Sequence, residues 1–592
     1  MKRILAAGLV VLALVVAALF SLGVTGGHIG LDDWGYTGGC PFVRDGLSAS
    51  NLARAFTDIG YGAIWMPVTF FSYMLDVSLF GGGWQVHHAV NVVLHVLNAI
   101  LVLLFIREQL RLLSSASERS VLLASFAAAL LWSLHPLRAE AVTYVAGRKE
   151  ELWTLFTLAG LLAYGRSLRG GSFVLYALTW AFFVLACLSK PTAMVFPLLA
   201  GALHAVHRLR RPGERTPSAW RLVPMLVFSA FIGLVALHSQ AHPTAAVSVD
   251  IQSAGPFERI LNAAVSLGLY AWHAVAPWVI HMDYRAVVGA PPIDCALGLS
   301  VLAVVGLVSV AVFLAGGREI RLRLAYGLVL YLLALGPTLG LFGAVNGDHA
   351  MADRYVYLPH VALALFVALG LASLLERRGG RSFWGCGLCV LALAGEVVAS
   401  VPVIRSYETG YTVFSRALSK DPDHWRALRF VGRECCTSPD RMDEGVAMLR
   451  RSLELRESQA TAEALAYSLA IRAKDGDFDE VNRLCAGVIQ KPARDQGGMM
   501  LDALGIVAMR EGKYAVAAAY FAAGLRVRNR NHAPDHAVLN LGLCLANLGK
   551  DQEALSILRS AQACRHPWVR QRAAEAIEAI QKDSSRPPFR WE

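Results

Sequence analysis

Acids and bases gather at a few points of a chain that is otherwise largely apolar. The first point is Asp32-Asp33 in Gly30-Leu31-Asp32-Asp33-Trp34-Gly35, just after an apolar run from about Ile4 to Leu22. An ionised carboxylate there can take the proton of a hydroxyl, although a solvated acidic turn is the competing reading. A second point is His135-Pro136-Leu137-Arg138-Ala139-Glu140, followed by Gly147-Arg148-Lys149-Glu150-Glu151. Arg148 and Lys149 suit an anion such as a lipid phosphate, unless Glu140, Glu150 and Glu151 already neutralise them. Lys190, in Ser189-Lys190-Pro191, has no acid close to it in sequence. It reads as an anion ligand or as a lysine snorkelling out of lipid. Further on come Asp348-His349 and Asp353-Arg354-Tyr355-Val356-Tyr357, where Arg354 suits phosphate and the tyrosines suit sugar stacking or interfacial anchoring.

Two more sets are aromatic or amphipathic. His88, Asn91, His95 and Asn98 follow one another at steps of three, four and three, so they share one face of a helix. In lipid such a stripe faces a cavity or neighbouring helices, and the spacing of the two histidines does not favour a metal. The long stretch from about Thr25 to Gln85 lacks a strand pattern and carries Trp65-Met66-Pro67.

The elements that must position these groups are membrane helices. Of 592 residues, 55% are hydrophobic and 17% charged, with mean hydropathy +0.47. That composition predicts an all-α polytopic membrane bundle. Apolar stretches near 4-24, 86-106, 118-134, 152-166, 173-188, 191-206, 222-239, 294-315, 324-343, 358-375 and 383-402 give eleven candidate spans. Lys2 and Arg3 precede the first, which reads as an uncleaved signal anchor. With the N-terminus inside, the arginines of 107-119, 166-169, 208-215, 318-323 and 377-381 all fall in inner loops. That holds only if 256-293 does not cross, and Pro277, His273, His281 and Asp283 suit an interfacial or re-entrant segment. The polar clusters then share the outer side. The net charge of +11 is largely this positive-inside signature with a basic tail, which argues against nucleic acid as a partner. Ten cysteines show no zinc spacing, and Cys386-x-x-Cys389 lies in an apolar helix where packing is its simplest use.

The first 403 residues form the membrane domain, and 404-592 are charged, Ala-rich and helix-periodic. Leu504-Gly505 with Gly512-Lys513 recurs as Leu541-Gly542 with Gly549-Lys550, a shift of 37 residues, and Gly476 precedes Gly512 by 36. Such a period predicts tetratricopeptide-type helix pairs, with a degenerate unit over 424-456. A solenoid of this kind presents a surface to peptides or proteins, or serves folding and assembly.

The outer-loop Asp32-Asp33, Trp65-x-Pro67, His87-His88-x-x-Asn91-x-x-x-His95, His135-Pro136-x-x-x-Glu140-x-Val142, Gly147-Arg148-x-Glu150, Pro277…Asp283-Tyr284 and Arg354-Tyr355-x-Tyr357-Leu358-Pro359, followed by repeats, resemble the transmembrane and tetratricopeptide-repeat proteins of the GT-C superfamily of membrane glycosyltransferases. The resemblance spans nearly the whole chain. It implies inverting transfer of a sugar, mannose in the animal proteins, from a polyprenyl phosphate to a protein hydroxyl. It further implies Asp32 or Asp33 as the acceptor-activating base. His135, Glu140, Arg148, Lys149, Lys190, Arg354, Tyr355 and Tyr357 would serve the donor phosphate and sugar, and Trp65, His88, Asn91, His95, Asp283 and Tyr284 would line the cavity. No cofactor is implied, and a divalent metal is possible without being indicated. The expected partners are the lipid-linked sugar, membrane lipids and an acceptor protein held by the repeats. The family usually has Ser-Lys-Glu where this chain has Ser189-Lys190-Pro191, which removes an acid. Competing readings are the same fold acting on a glycolipid or polysaccharide, and a non-catalytic scaffold displaying repeats. The absence of an N-glycosylation sequon favours a bacterial inner membrane with the repeats in the periplasm over an endoplasmic reticulum membrane with them in the lumen.

Overall fold

The computed structural model describes residues 2–59, 61, 64–214, 216–240, 255–284, 292–341, 351–377, 380–490, 497–527, 535–564, 566–582 and 588–589. Asp348 and His349 lie outside them. The chain divides into two compact units, Met1–Arg416 and Ala417–Glu592. The division falls later than the composition change at 403, because the last membrane helix continues to Ser406 and the chain beyond it stays with the first unit. There the Glu408 carbonyl accepts the Gly27 N–H at 2.9 Å, and Tyr407 is buried.

Each of the eleven apolar stretches carries a helix within its described residues. Among the described residues, seven helices are long and apolar enough to cross a membrane, or up to eight if the bent pair Glu118–Leu134 and Pro136–Thr143 is one span, against eleven candidate stretches in the sequence. The shortfall has plain causes. Arg148–Ser167 opens on a charged first turn, and Phe173–Ser189 and His360–Leu375 are short. Pro256–His273 is an amphipathic helix outside the seven and packs along Pro292–Ala315. Only glycines allow so close a crossing, since a Cβ on Gly268 would stand 1.7 Å from the Gly298 carbonyl oxygen.

Trp84–Leu113 is the central helix, in contact with Lys2–Phe20, Glu118–Leu134, Arg148–Ser167 and His360–Leu375. It starts after the Gly81-Gly82-Gly83 turn, in which Gly81 has φ +82° and ends the preceding helix, Pro67–Phe80. The connection from 25 to 66 holds the short helices Asp32–Tyr36, Pro41–Arg44 and Ala49–Thr57. Pro41–Arg44 and Ala49–Thr57 pack on Pro67–Phe80, and Asp32–Tyr36 packs on the turn Val145–Gly147.

The second unit consists of antiparallel helix pairs. Trp425–Cys435 pairs with Met442–Leu455, Gln459–Arg472 with Asp477–Gln490, Gly498–Arg510 with Tyr514–Val527, and Asp535–Asn547 with Asp551–Gln562, before a final Pro567–Lys582. The repeating glycines have two uses. Gly476, Gly512 and Gly549 take φ of +81°, +76° and +73° at the turns, a region L side chains avoid. Gly505 and Gly542 sit at crossings, where a Cβ would come within 2.7 Å of the Phe521 ring and the Leu558 side chain. The pair over 425–455 closes in the same way through Gly432 and Gly445, so the degenerate first repeat is real. All ten cysteines are free.

Candidate functional site

Asp32 and Asp33 open a helix of five residues, and successive positions on it point in different directions. Asp33 is fully buried. Its carboxylate accepts the Ile29 N–H at 3.0 Å and the Ala146 N–H at 2.9 Å, joining the loop to the turn between two bundle helices. Burial pushes this carboxyl up to about 7, against the two N–H bonds that pull it down. With both oxygens held on backbone amides and no surface exposed, Asp33 is an anchor and does not meet an acceptor. Asp32 differs. Its side chain is 45% exposed and its Oδ2 lies 3.4 Å from the Lys149 ammonium, while its own N–H donates to the Tyr144 hydroxyl at 3.0 Å.

A connected polar cluster extends from Asp32. Lys149 donates to the Tyr36 hydroxyl at 3.2 Å and lies over that ring at 4.7 Å. The Arg354 guanidinium faces the Tyr144 ring at 5.8 Å and the Tyr355 ring at 5.0 Å. Glu140 grips Arg354 twice, through the guanidinium and through the backbone N–H at 3.0 Å. Lys190 lies over the other part of the set, 5.0 Å from the Tyr355 ring, and donates to Glu150 at 2.5 Å. It is therefore ion-paired, and Glu150 is the acid that the sequence around Lys190 lacks. Tyr284 donates to Asp353 at 3.0 Å and its backbone bridges to Met351, so the Asp283-Tyr284 element is tied to the segment that carries Arg354. Asp283 itself is buried at a strained φ of +68°.

Other expected site residues do structural work instead. Arg148 is 0% exposed and fully engaged inside the protein. It pairs with Asp76 at 2.6 Å, donates to Asn91 Oδ1 and the His87 carbonyl at 2.8 Å each, and covers the Tyr73 ring at 4.3 Å. It cannot reach a donor phosphate. On the Trp84–Leu113 stripe, His88, Asn91 and His95 likewise bond neighbouring elements. Asn91 donates to the carbonyls of Val142, Tyr144 and Val145, His88 meets the Gly27 carbonyl at 3.1 Å, and His95 sits between the Tyr357 hydroxyl at 2.6 Å and the Ser133 carbonyl at 3.0 Å. Tyr357 belongs to that packing and is 0% exposed, so it offers the donor sugar no face. His135 accepts the Leu137 N–H at 3.1 Å as a helix cap and touches the Ala274 carbonyl at 3.2 Å. Trp65 donates to the Phe56 carbonyl at 3.1 Å and holds the loop to itself.

Sequence reading missed Asp76, Tyr36 and Tyr144. A lone acid within the apolar run 67–80 is a signal for Asp76, since an intramembrane charge needs a partner. Tyr36 stands four residues after Asp32, on the same helical face. For Tyr144 no comparable signal exists.

The turn that carries Glu140 and leads into Lys149 depends on Gly147. A Cβ there would meet the Ala141 carbonyl oxygen at 2.3 Å and the Glu140 carbonyl at 2.9 Å. Gly147→Ala is expected to lower stability by roughly 1–3 kcal/mol, as overpacking does, and to shift the Glu140–Arg354 pair. Thermal unfolding of the detergent-purified variant checks this, and an unchanged Tm would contradict it.

Fold and site together define a multi-pass helical membrane protein with a tetratricopeptide-type repeat unit and a buried, charge-rich cluster at one end of its bundle. The chain is TMTC-like. It is 25% identical over 344 residues to the protein O-mannosyl-transferase F38B6.6 of Caenorhabditis elegans, covering 55% of this chain and 44% of the relative. It is 24% identical over 353 residues to the human protein O-mannosyl-transferase TMTC4, covering 52% and 47%. It is 25% identical over 402 residues to mouse TMTC3, covering 62% and 42%. The chain thus spans less than half the length of these relatives. No family model matches it. A likeness to the crystal structure of yeast Tom70, at 11% identity over 77% of this chain and 92% of that one, has a TM-score of 0.20, too low to bear on the fold.

Proposed function

We propose that this chain is a membrane glycosyltransferase that moves a hexosyl group, mannose if it follows its named relatives, from a polyprenyl-phosphate donor to a hydroxyl of a protein. The observation that carries the reading is a half-exposed carboxylate, Asp32, in contact with a buried ammonium, Lys149, beside Lys190 and Arg354. In the reaction, Asp32 takes the acceptor O–H proton and the acceptor oxygen attacks the anomeric carbon from the face opposite the phosphate. The bond from that carbon to the phosphate oxygen breaks, and its electron pair leaves with the lipid phosphate. A phosphate is a good enough leaving group to depart without an acid, so one carboxylate suffices. The cations supply the stabilisation of the departing charge.

The three cations are not equivalent. Lys190 and Arg354 have close acidic partners in Glu150 and Glu140, whereas Lys149 reaches Asp32 only at 3.4 Å. Lys149 is therefore the cation with the most to offer an incoming phosphate, and Lys190 and Arg354 with Tyr355 shape the wall around it. In this reading the bundle lies with this end toward the periplasm or lumen, and the repeats hold the acceptor.

The test is transfer by the full-length chain in vesicles loaded with radiolabelled polyprenyl-phosphate mannose. Label in a protease-sensitive fraction, lost on β-elimination, is the expected result. Label confined to lipid or polysaccharide, or no transfer with any polyprenyl-phosphate hexose, would overturn the proposal.

A further inference from the structure

Where Trp84–Leu113 packs on Arg148–Ser167, several buried oxygens have no hydrogen-bond partner among the described residues. They are both carboxylate oxygens of Glu151, Oδ1 of Asn98, and the hydroxyls of Thr154 and Thr157. All four residues are 0% exposed. They are also neighbours. The Asn98 amide nitrogen donates to the Glu151 carbonyl at 3.0 Å and to the Tyr357 hydroxyl at 3.3 Å, which fixes the amide with its oxygen as the unused end. Thr154 lies three residues after Glu151 and Thr157 three further, so the hydroxyls follow the carboxylate along one side of the helix.

Every unpaired atom in this group is an oxygen, and the carboxylate has no ion-pair partner among the described residues. Arg148, one turn earlier, already pairs with Asp76 at 2.6 Å. An ionised carboxylate does not stand uncompensated in such surroundings. A proton would neutralise it, yet these oxygens make no hydrogen bond to one another or to any other described atom, so a proton alone would leave them unsatisfied. A divalent ion would leave excess positive charge beside one carboxylate. A hard monovalent ion balances the charge and coordinates the carboxylate, amide and hydroxyl oxygens together.

We propose that Glu151, Asn98 and Thr154 form a buried binding site for a monovalent alkali cation of the sodium class. The site is independent of the transfer reaction proposed above and acts on how the two helices are held together.

Thermal unfolding of the full-length chain in nanodiscs, in sodium chloride against choline chloride at one ionic strength, tests this. The wild type is expected to gain Tm steadily with sodium once the ion exceeds its dissociation constant. Glu151→Gln keeps the shape, removes the charge and is expected to lose that sodium dependence. Thr154→Val, with one ligand removed, is expected to need several-fold more sodium. Saturable binding of radioactive sodium to the wild type, displaced by unlabelled sodium, supplies the same answer if the Glu151 variant does not fold. A wild-type Tm indifferent to sodium with no saturable retention of the ion would overturn the site. So would a Tm that follows pH alone, which would make the occupant a proton.

Discussion

Replacing Asp32 with Asn is expected to abolish transfer, with a fall of about 10²–10⁴ in turnover, while leaving unfolding unchanged. Its side chain is half exposed, so the loss falls on proton abstraction. Asp33→Asn should behave in the opposite way. It replaces one of two acceptor oxygens facing the Ile29 and Ala146 amides, so it lowers Tm first and activity only through misplacement of Asp32. Rates and Tm measured on both variants separate the roles. Full turnover in the Asp32 variant would remove it as the base.

The largest expected effect on stability lies at the Asp76, His87 and Arg148 group. Asp76→Asn leaves a buried guanidinium without its acid, at a cost of roughly 3–5 kcal/mol. Asp76 contacts Arg148 at 2.6 Å and His87 at 2.7 Å, so both partners lose it at once. The double change Asp76→Leu with Arg148→Met removes the charge together with its partner and is expected to recover most of the loss. Denaturant unfolding of the single and double variants gives the coupling. A single variant within about 1 kcal/mol of wild type would show that the pair is not what holds Arg148–Ser167 on Pro67–Phe80.

These contrasts mark what the chain disclosed before folding. Gly476, Gly512 and Gly549 were legible because a left-handed turn is a local requirement that leaves its residue type in the sequence. The Asp32-Asp33 pair stands in the sequence as two equal carboxylates, and only the distant Ile29 and Ala146 amides distinguish them. Arg148 suits an anion or an acid, and the His88, Asn91 and His95 stripe a cavity or neighbouring helices, because residue type tells that a polar group in lipid must be satisfied but not by what. Their partners, Asp76, the Val142 to Val145 carbonyls and Tyr357, come from other helices. The number of long apolar helices falls below the number of apolar stretches for a related reason: a short or charged helix lies safely within a bundle when its neighbours cover it.

Lys149 sits between a carboxylate and a phenol, 3.4 Å from the first and 3.2 Å from the second. In the proposed reaction that position conserves charge. A glycosyl phosphodiester enters with one negative charge and departs as a monoester with two, while Asp32 passes from anion to acid. The total is the same before and after, and only its location changes. The ammonium hands itself from the carboxylate to the phosphate across a few ångströms, with no ion drawn in from water. Return of the proton from Asp32 then resets the site, so product departure and deprotonation of the aspartate are coupled steps, and slowing one slows the other.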